Sequence, residues 1–193
     1  MNFSNVLQGI KNSLMLTSEE KDLVNSVALE YESWEKTLSV KERYLIRKYT
    51  LNSHDDRKPN RFFERLNRAM RGDYTGSDKE KLLRYGHIIS KAICRQPLSR
   101  QIVCYRGVDD DLLYNVNIGT VFSFDQFIST SLVKFCALNK RFRYVIVIPE
   151  GAFGAYIENI SAFKGQYEFL LDASCQFKLL AKRERNVYLE VVT

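Results

Sequence analysis

Residues 101–132, QIVCYRGVDDDLLYNVNIGTVFSFDQFISTSL, contain the point at which the hydrophobic pattern of the chain changes. From here to the C-terminus, β-branched and aromatic residues form short runs separated by turn residues, which is typical of β-strands. The pattern predicts eight strands: Ile102–Tyr105, Thr120–Phe124, Phe127–Leu132, Tyr144–Ile148, Phe153–Ile157, Tyr167–Leu171, Phe177–Leu180 and Val187–Val192.

The first half of the chain has a helical period instead. Apolar residues recur at three- and four-residue steps, as in Leu23, Val27 and Tyr31, and this predicts several helices. Residues 17–20 and 77–80 each place a capping side chain before an acidic first turn, so we expect helices to begin there. Residues 51–60, which include Pro59, are predicted to form a loop.

These two halves predict an α+β fold. Eight short strands without long helices between them cannot form a parallel sheet. We therefore expect an N-terminal helical layer, about residues 1–98, packed on a two-sheet, mostly antiparallel β-sandwich, about residues 99–193. At 193 residues and 45% hydrophobic content, the chain fits a single domain, residues 1–193, with one core.

Composition narrows the possible functions. No apolar run is long enough to span a membrane, and the first 18 residues lack the features of a signal peptide. The net charge of +6 comes from residues 1–100, which hold 19 Lys and Arg against 13 Asp and Glu. Such an excess suits nucleic acid, anionic lipid or an acidic ligand such as a pyrophosphate. The cysteines and histidines lack zinc-ligand spacing, so we expect no metal site. Four cysteines in a chain large enough to have its own core are more often buried thiols than a disulfide frame, so we expect no disulfide.

Three polar clusters interrupt the apolar strands. Arg106 stands at the end of the first strand, Ser129, Thr130 and Ser131 lie in the third, and Gln166 and Glu168, two residues apart, stand at the start of the sixth. Side chains two apart on a strand face the same side. A guanidinium binds phosphate oxygens, and a carboxylate beside a ribose can stabilise an oxocarbenium-like transition state. The phosphate-loop, dinucleotide, zinc-protease and nucleophile-elbow motifs are missing from the sequence.

The clusters resemble the signature of ADP-ribosyltransferase toxins. Tyr105-Arg106-Gly107, residues 128–132 (ISTSL) and residues 160–171 (ISAFKGQYEFLL) are similar to its Arg, Ser-Thr-Ser and Gln-x-Glu elements. The likeness runs from about Tyr31 to the end of the chain and is greatest to the single-domain clostridial-type exoenzymes that modify Rho GTPases. Gln126-Phe127 stands where that family has a Gly-Tyr pair.

The resemblance implies NAD as the co-substrate, no metal, and a role for each matching residue. Glu168 would be the catalytic carboxylate, with Gln166, Ser129 and Arg106 as its catalytic partners. Asn67 and Arg71, four apart on one helical face, would contact the pyrophosphate. The residues implied in NAD binding are Arg106, Asn67, Arg71, Thr50, Arg141, Thr130 and Ser131.

A loop over residues 133–143 is expected to close over the NAD phosphate and nicotinamide. Leu138 and Arg141 would fill its aromatic and basic positions, and Phe135 and Arg143 are the alternatives. Gln166 indicates which side chain of the target protein receives ADP-ribose, because in this class a Glu at that position accompanies arginine acceptors. An uncharged Gln suits an amide such as asparagine. Phe163, in the turn over residues 161–165, would be a hydrophobic contact for the target protein.

By this resemblance the chain would be a toxin that a bacterium secretes and that acts in the host-cell cytosol. It would transfer ADP-ribose to an asparagine of a Rho-type GTPase, with NAD glycohydrolase side activity. We expect a monomer without a nucleic-acid partner or stable membrane association. Two alternatives remain open: an NAD glycohydrolase without a protein acceptor, and a basic nucleic-acid-binding module using Arg61, Arg65 and Arg68.

Overall fold

The computed structural model describes residues 11–51, 61–110 and 113–193. Most of the predicted loop over residues 51–60 therefore lies outside the described residues. Residues 11–15 are helical, and four longer helices follow in the first half of the chain. They are α1 (Ser18–Lys36), α2 (Val40–Thr50), α3 (Phe62–Arg71) and α4 (Lys79–Ile93).

Both predicted helix starts are confirmed. Thr17 forms a capping box before α1, since its hydroxyl accepts from the Glu20 amide at 3.2 Å and the Glu20 carboxylate accepts from the Thr17 amide at 3.0 Å. Asp78 is the N-cap of α4 but makes no side-chain cap hydrogen bond. Its carboxylate instead accepts from Arg65 at 2.9 Å and from Tyr74 at 2.6 Å, which ties α3 to the start of α4.

All eight predicted strands are present in the second half of the chain. They are β1 (Ile102–Val108), β2 (Val121–Ser123), β3 (Ile128–Ser131), β4 (Phe142–Ile148), β5 (Gly154–Tyr156), β6 (Glu168–Leu171), β7 (Gln176–Arg183) and β8 (Asn186–Val192). Their order across the sheet is β2-β7-β8-β4-β1-β3-β6-β5. The pairing is antiparallel except between β4 and β8, which run parallel.

The α+β class is confirmed, but the division into two sheets is not. The strands form one eight-stranded sheet among the described residues. Strand β1 pairs with β4 along its full length, whereas its only backbone register with β3 is Tyr105 opposite Ser131. A single residue pair holds two strands together weakly, so the sheet is loosest between β1 and β3. Arg106 and Ser129 lie on either side of this junction.

The helical layer is fixed to the sheet by buried aromatic residues of α1. The Tyr31 hydroxyl donates to the Gly154 carbonyl of β5 at 3.1 Å, and the Tyr31 ring meets Phe169 of β6 edge to face. Trp34 donates to the Ala92 carbonyl of α4 at 2.8 Å. Tyr31 and Trp34 are each only 2% exposed, and such aromatic side chains contribute strongly to core stability.

Three findings concern disulfides, metal sites and membrane spans. The four cysteines are free thiols. In the described part of the chain, neither a cluster of three metal-binding side chains nor a helix suited to crossing a membrane is found.

Candidate active site

Arg106, Ser129 and Glu168 meet at the junction between β1, β3 and β6. Ser129 donates from its hydroxyl to Glu168 Oε1 at 2.5 Å, and Arg106 Nη1 donates to the Ser129 carbonyl at 2.7 Å. Strand pairing creates this arrangement, because Ser129 lies opposite Leu170 and Ser131 lies opposite Glu168. The structure therefore brings together the three side chains that the sequence pattern predicted for one site.

A second hydroxyl holds the other carboxylate oxygen. Ser161 is fully buried, and its hydroxyl donates to Glu168 Oε2 at 3.1 Å. Sequence reasoning did not give Ser161 this role, although it lies within the motif that carries the resemblance. Its position seven residues before Glu168, in a turn, carries no periodicity that would indicate the contact. Glu168 thus has one serine on each oxygen.

Burial, hydrogen bonds and neighbouring charges shift the pKa of the Glu168 carboxylate in opposing directions. Removal from solvent raises the pKa of Glu168 above the ordinary value, and the nearby charge of Glu158 raises that pKa further. The hydrogen bonds from Ser129 and Ser161 and the positive charge of Arg106 lower it, but the net shift is upward. Glu168 as a residue is 5% exposed, so it is largely shielded from water.

These residues line a cleft that is open to solvent, which we call the Glu168 cleft. Its donors and its single carboxylate fit the phosphates and ribose of a dinucleotide, and apolar Leu138 adds a surface for a ring. Its lining includes Arg106, Ser129, Ser131, Leu138, Gln166 and Glu168.

Gln166 and Glu168 both line this cleft, as predicted, but not because they alternate on a strand. Strand β6 begins only at Glu168, and Tyr167 has a left-handed φ of 50°. The Gln166 carbonyl accepts from the Ser131 hydroxyl at 2.6 Å, which holds the residue against β3. A turn, rather than the two-residue repeat, therefore directs both residues toward the cleft.

Thr130 and Ser131 line the cleft, but their hydroxyls are hydrogen-bonded to the backbone. The Thr130 hydroxyl donates to the Phe169 carbonyl at 2.7 Å, and the Ser131 hydroxyl also makes backbone hydrogen bonds. Both side chains are buried, at 5% and 4% exposure. They line the inner wall of the cleft, and their hydroxyls stabilise the backbone of β3 and β6.

The helical layer contributes Asn67 next to this site. Asn67 is buried and donates to the Tyr49 hydroxyl at 3.1 Å, and Tyr49 donates to the Phe127 carbonyl at 3.3 Å. Arg71 lies one turn further along α3 and donates to the Gln126 side chain. Arg71 therefore contacts the segment that enters β3 directly, and Asn67 is linked to it through Tyr49.

Comparison with known proteins agrees with this geometry. The model of the ADP-ribosyltransferase exoenzyme family matches residues 28–190, which is most of the chain. The chain belongs to the ADP-ribosyltransferase exoenzyme family. The predicted resemblance to clostridial-type exoenzymes is thereby confirmed.

Individual relatives of this exoenzyme share between 19% and 32% of their aligned residues with it. The NAD(+)–arginine ADP-ribosyltransferase EFV of Enterococcus faecalis is 32% identical over 128 residues, 60% of the chain. The match spans only 25% of the length of that relative. The structure of Plx2a, an ADP-ribosyltransferase toxin from Paenibacillus larvae, aligns with a TM-score of 0.71 at 23% identity, covering 91% of this chain and 97% of its own. The Clostridium limosum C3 exoenzyme aligns with a TM-score of 0.69 at 19% identity, covering 88% and 95%.

The exoenzyme loop before β4 only partly matches the prediction. Leu138 lines the Glu168 cleft, whereas the exposed Arg141 places its guanidinium over the Phe142 ring at 5.3 Å. Of the alternatives, Phe135 lines an adjoining groove, and Arg143 is part of β4, opposite Gly107. The described structure therefore places Leu138, and none of the other three, on the lining of the cleft.

The turn over residues 161–165 contacts the end of α2 and contributes Phe163 to the adjoining groove. The Thr50 hydroxyl accepts from the Ala162 amide at 2.8 Å, so in this structure Thr50 supports the turn and is not part of the cleft lining. Phe163 is half-buried and lines the adjoining groove together with Phe135 and Gln166. Phe163 and Gln166 therefore line the same groove, and Gln166 also lines the cleft.

The arginines that suggested nucleic-acid binding are paired with acids. Arg65 is 4% exposed and forms an ion pair with Asp78 at 2.9 Å. Arg61 lies 3.9 Å from Glu64, and Arg68 lies 4.0 Å from Asp73. These pairings reduce the positive charge that α3 presents to solvent, so the geometry gives the nucleic-acid alternative no specific support.

Proposed function

We propose that this exoenzyme cleaves NAD and transfers ADP-ribose to an asparagine side chain of a Rho-type small GTPase, with NAD glycohydrolysis as a side activity. As for its toxin relatives, we propose secretion by a bacterium and action in the host-cell cytosol. The observation that carries the enzymatic proposal is the Glu168 carboxylate, held by one serine on each oxygen in a cleft that also contains a guanidinium.

The proposed reaction begins with cleavage of the bond between C1′ of the ribose and the nicotinamide nitrogen. Nicotinamide leaves with the electron pair of that bond, and positive charge develops on the ribose. An ionised Glu168 stabilises this charge and accepts a hydrogen bond from the 2′-hydroxyl. The carboxylate is already oriented by Ser129 and Ser161, so little reorganisation is needed when the charge appears.

Arg106 is proposed to bind the phosphates and the ribose. Its side chain lines the cleft, and its hydrogen bond to the Ser129 carbonyl fixes the guanidinium next to the catalytic carboxylate. Asn67 and Arg71 are proposed to contact the pyrophosphate from the helical layer. Both are linked to the segment before β3, so contact with the ligand would couple α3 to the strand that carries Ser129.

The acceptor is proposed from Gln166 and its surroundings. Gln166 is uncharged, and its side-chain amide can both donate to and accept from another amide, which suits asparagine better than arginine. Because Gln166 lines both the cleft and the groove that holds Phe163, a bound protein could contact Phe163 while presenting a side chain to C1′. The amide nitrogen of that asparagine would form the new bond to C1′ and release a proton.

Labelled NAD and a panel of small GTPases test the proposal. We expect Glu168→Ala to abolish NAD cleavage, because the developing positive charge loses its carboxylate. We expect Gln166→Ala to keep glycohydrolysis and to lose transfer, since it changes only the contact with the acceptor. Gln176→Ala, an exposed glutamine at the start of β7, is the matched control and should behave as the wild type.

Two results would contradict this assignment. Normal transfer by Gln166→Ala would refute the amide-acceptor argument. Equal nicotinamide release by the wild type with and without every GTPase, and no labelled protein, would favour an NAD glycohydrolase without a protein acceptor.

A further inference from the structure

The segment between Glu158 and Glu168 has an unusual backbone around Gln166. Gly165 and Tyr167, the two neighbours of Gln166, have left-handed φ angles of 78° and 50°. This conformation is free of strain for glycine but costs about 1–2 kcal/mol for a residue with a side chain such as Tyr167. Interactions elsewhere in the structure must therefore hold Gln166 in place.

Glu158 supplies these interactions from the other end of the segment. Its carboxylate is buried; Oε1 accepts from the Gly165 amide, and Oε2 accepts from the Glu168 amide at 3.3 Å. The Glu158 carbonyl accepts from Lys164 Nζ at 2.6 Å, which fixes the same turn a second time. One side chain thus binds the backbone on both sides of Gln166.

Gln166 and Glu168 depend on the support from Glu158 to different degrees. Glu168 is also held by the hydroxyls of Ser129 and Ser161 and by the pairing of β6 with β3. Gln166 lies before β6; its carbonyl is held by the Ser131 hydroxyl at 2.6 Å, but the direction of its side chain depends on the turn. Loosening the turn should therefore displace Gln166 more than Glu168.

We propose that Glu158 is a positioning residue for the transfer step, whose carboxylate holds the turn so that Gln166 faces the acceptor side chain. This inference rests on the proposed function, because it assigns a determinant to the same site.

The chemistry of the contacts explains why a carboxylate is needed. An ionised carboxylate can accept hydrogen bonds on both oxygens, whereas a glutamine side chain has one oxygen and one amino group. In Glu158→Gln, the amino group would face one of the backbone amides, and two donors cannot form a hydrogen bond. Burial raises the pKa of Glu158, and the turn amides and Lys164 oppose that shift, so the turn partly offsets the cost of a buried charge.

The test measures transfer and glycohydrolysis separately in the full chain. For Glu158→Gln we expect transfer to a GTPase acceptor to fall about tenfold or more, because small displacements of positioned groups have effects of this size. We expect NAD glycohydrolysis without an acceptor to stay within about threefold of wild type, since the groups that act on the ribose remain in place. Asp172→Asn is the control, because Asp172 is also a buried carboxylate and lies just after the other end of β6, and it should leave the ratio of the two activities unchanged.

Lys164→Gln provides a second test if Glu158→Gln folds poorly. It leaves the carboxylate and removes the ammonium bond to the Glu158 carbonyl, so transfer should again fall more than glycohydrolysis, by a smaller factor. Parallel loss of both activities in both variants, or unchanged transfer in both, would overturn the positioning role. A wild-type chain that cleaves no NAD would instead refute the proposed function, so the two failures are distinguishable.

Discussion

Replacing Ser161 by alanine tests the arrangement around Glu168 most directly. The substitution removes the hydroxyl that donates to Glu168 Oε2 at 3.1 Å and leaves the 2.5 Å bond from Ser129 in place. It also removes the acceptor of the Phe163 amide at 3.3 Å. Glu168 then keeps a single serine partner on one oxygen, although the residue itself is largely buried.

The expected loss follows from the strength of such a hydrogen bond. A hydrogen bond to a charged group is worth about 1.5–3 kcal/mol, and the longer Ser161 contact should lie near the lower end of that range. If that energy is lost in the transition state, NAD cleavage should fall roughly tenfold, since about 1.4 kcal/mol corresponds to a factor of ten. Ser129→Ala, which removes the shorter bond, should lose more.

The assay is nicotinamide release from NAD without an acceptor, measured across pH. Loss of the Ser161 hydrogen bond raises the pKa of Glu168 further, because that bond favours the ionised form. If the ionised form is the active one, the loss should be greater at acidic than at neutral pH. Ser174→Ala is the control, because Ser174 donates to the Asp172 carboxylate at 2.8 Å but lies outside the cleft lining. Wild-type rates of nicotinamide release for both Ser161→Ala and Ser174→Ala would refute the reasoning.

Two further predictions follow from the same region. In Gly107→Ala the added methyl group would lie 1.9 Å from the Leu138 carbonyl oxygen, so the loop that carries Leu138 must move. NAD should then bind more weakly, as measured by calorimetric titration, and an unchanged affinity would contradict this prediction. Burial raises the pKa of both Glu158 and Glu168, so the folded state retains protons that the unfolded state releases as pH rises above 4.5. Each carboxylate therefore lowers the stability of the folded state as it ionises. The difference in unfolding free energy between Glu168→Gln and the wild type, measured in urea, should shift in favour of the variant from acidic to neutral pH. A difference that does not change with pH would contradict the raised pKa of Glu168.

Local sequence determined the elements and the main members of the site. Helical periodicity, the Thr17 cap and the short β-branched runs act over a few residues, so they predicted the helix starts and all eight strands. Arg106, Ser129 and Glu168 could be predicted because each lies in or at the end of a strand, next to residues that resemble a family signature. Strand pairing then brought them together as expected.

Other parts of the site depend on contacts that local sequence does not encode. The orientation of Gln166 follows from left-handed residues on both sides and from Glu158, whose bonds to the turn close a loop of seven to ten residues. Arg141 was predicted for the basic position of the loop over residues 133–143, but packing against Phe142 places it away from the cleft lining.

The sequence by itself determined where helices and strands form and which polar residues interrupt them, because these properties depend on near neighbours. Only the tertiary structure decided that Ser161 completes the support of Glu168, that the strands form one sheet joined weakly between β1 and β3, and that Glu158 holds the turn around Gln166. The physical reason is that a buried carboxylate must find hydrogen-bond donors wherever the fold places them, and those donors need bear no regular spacing along the chain.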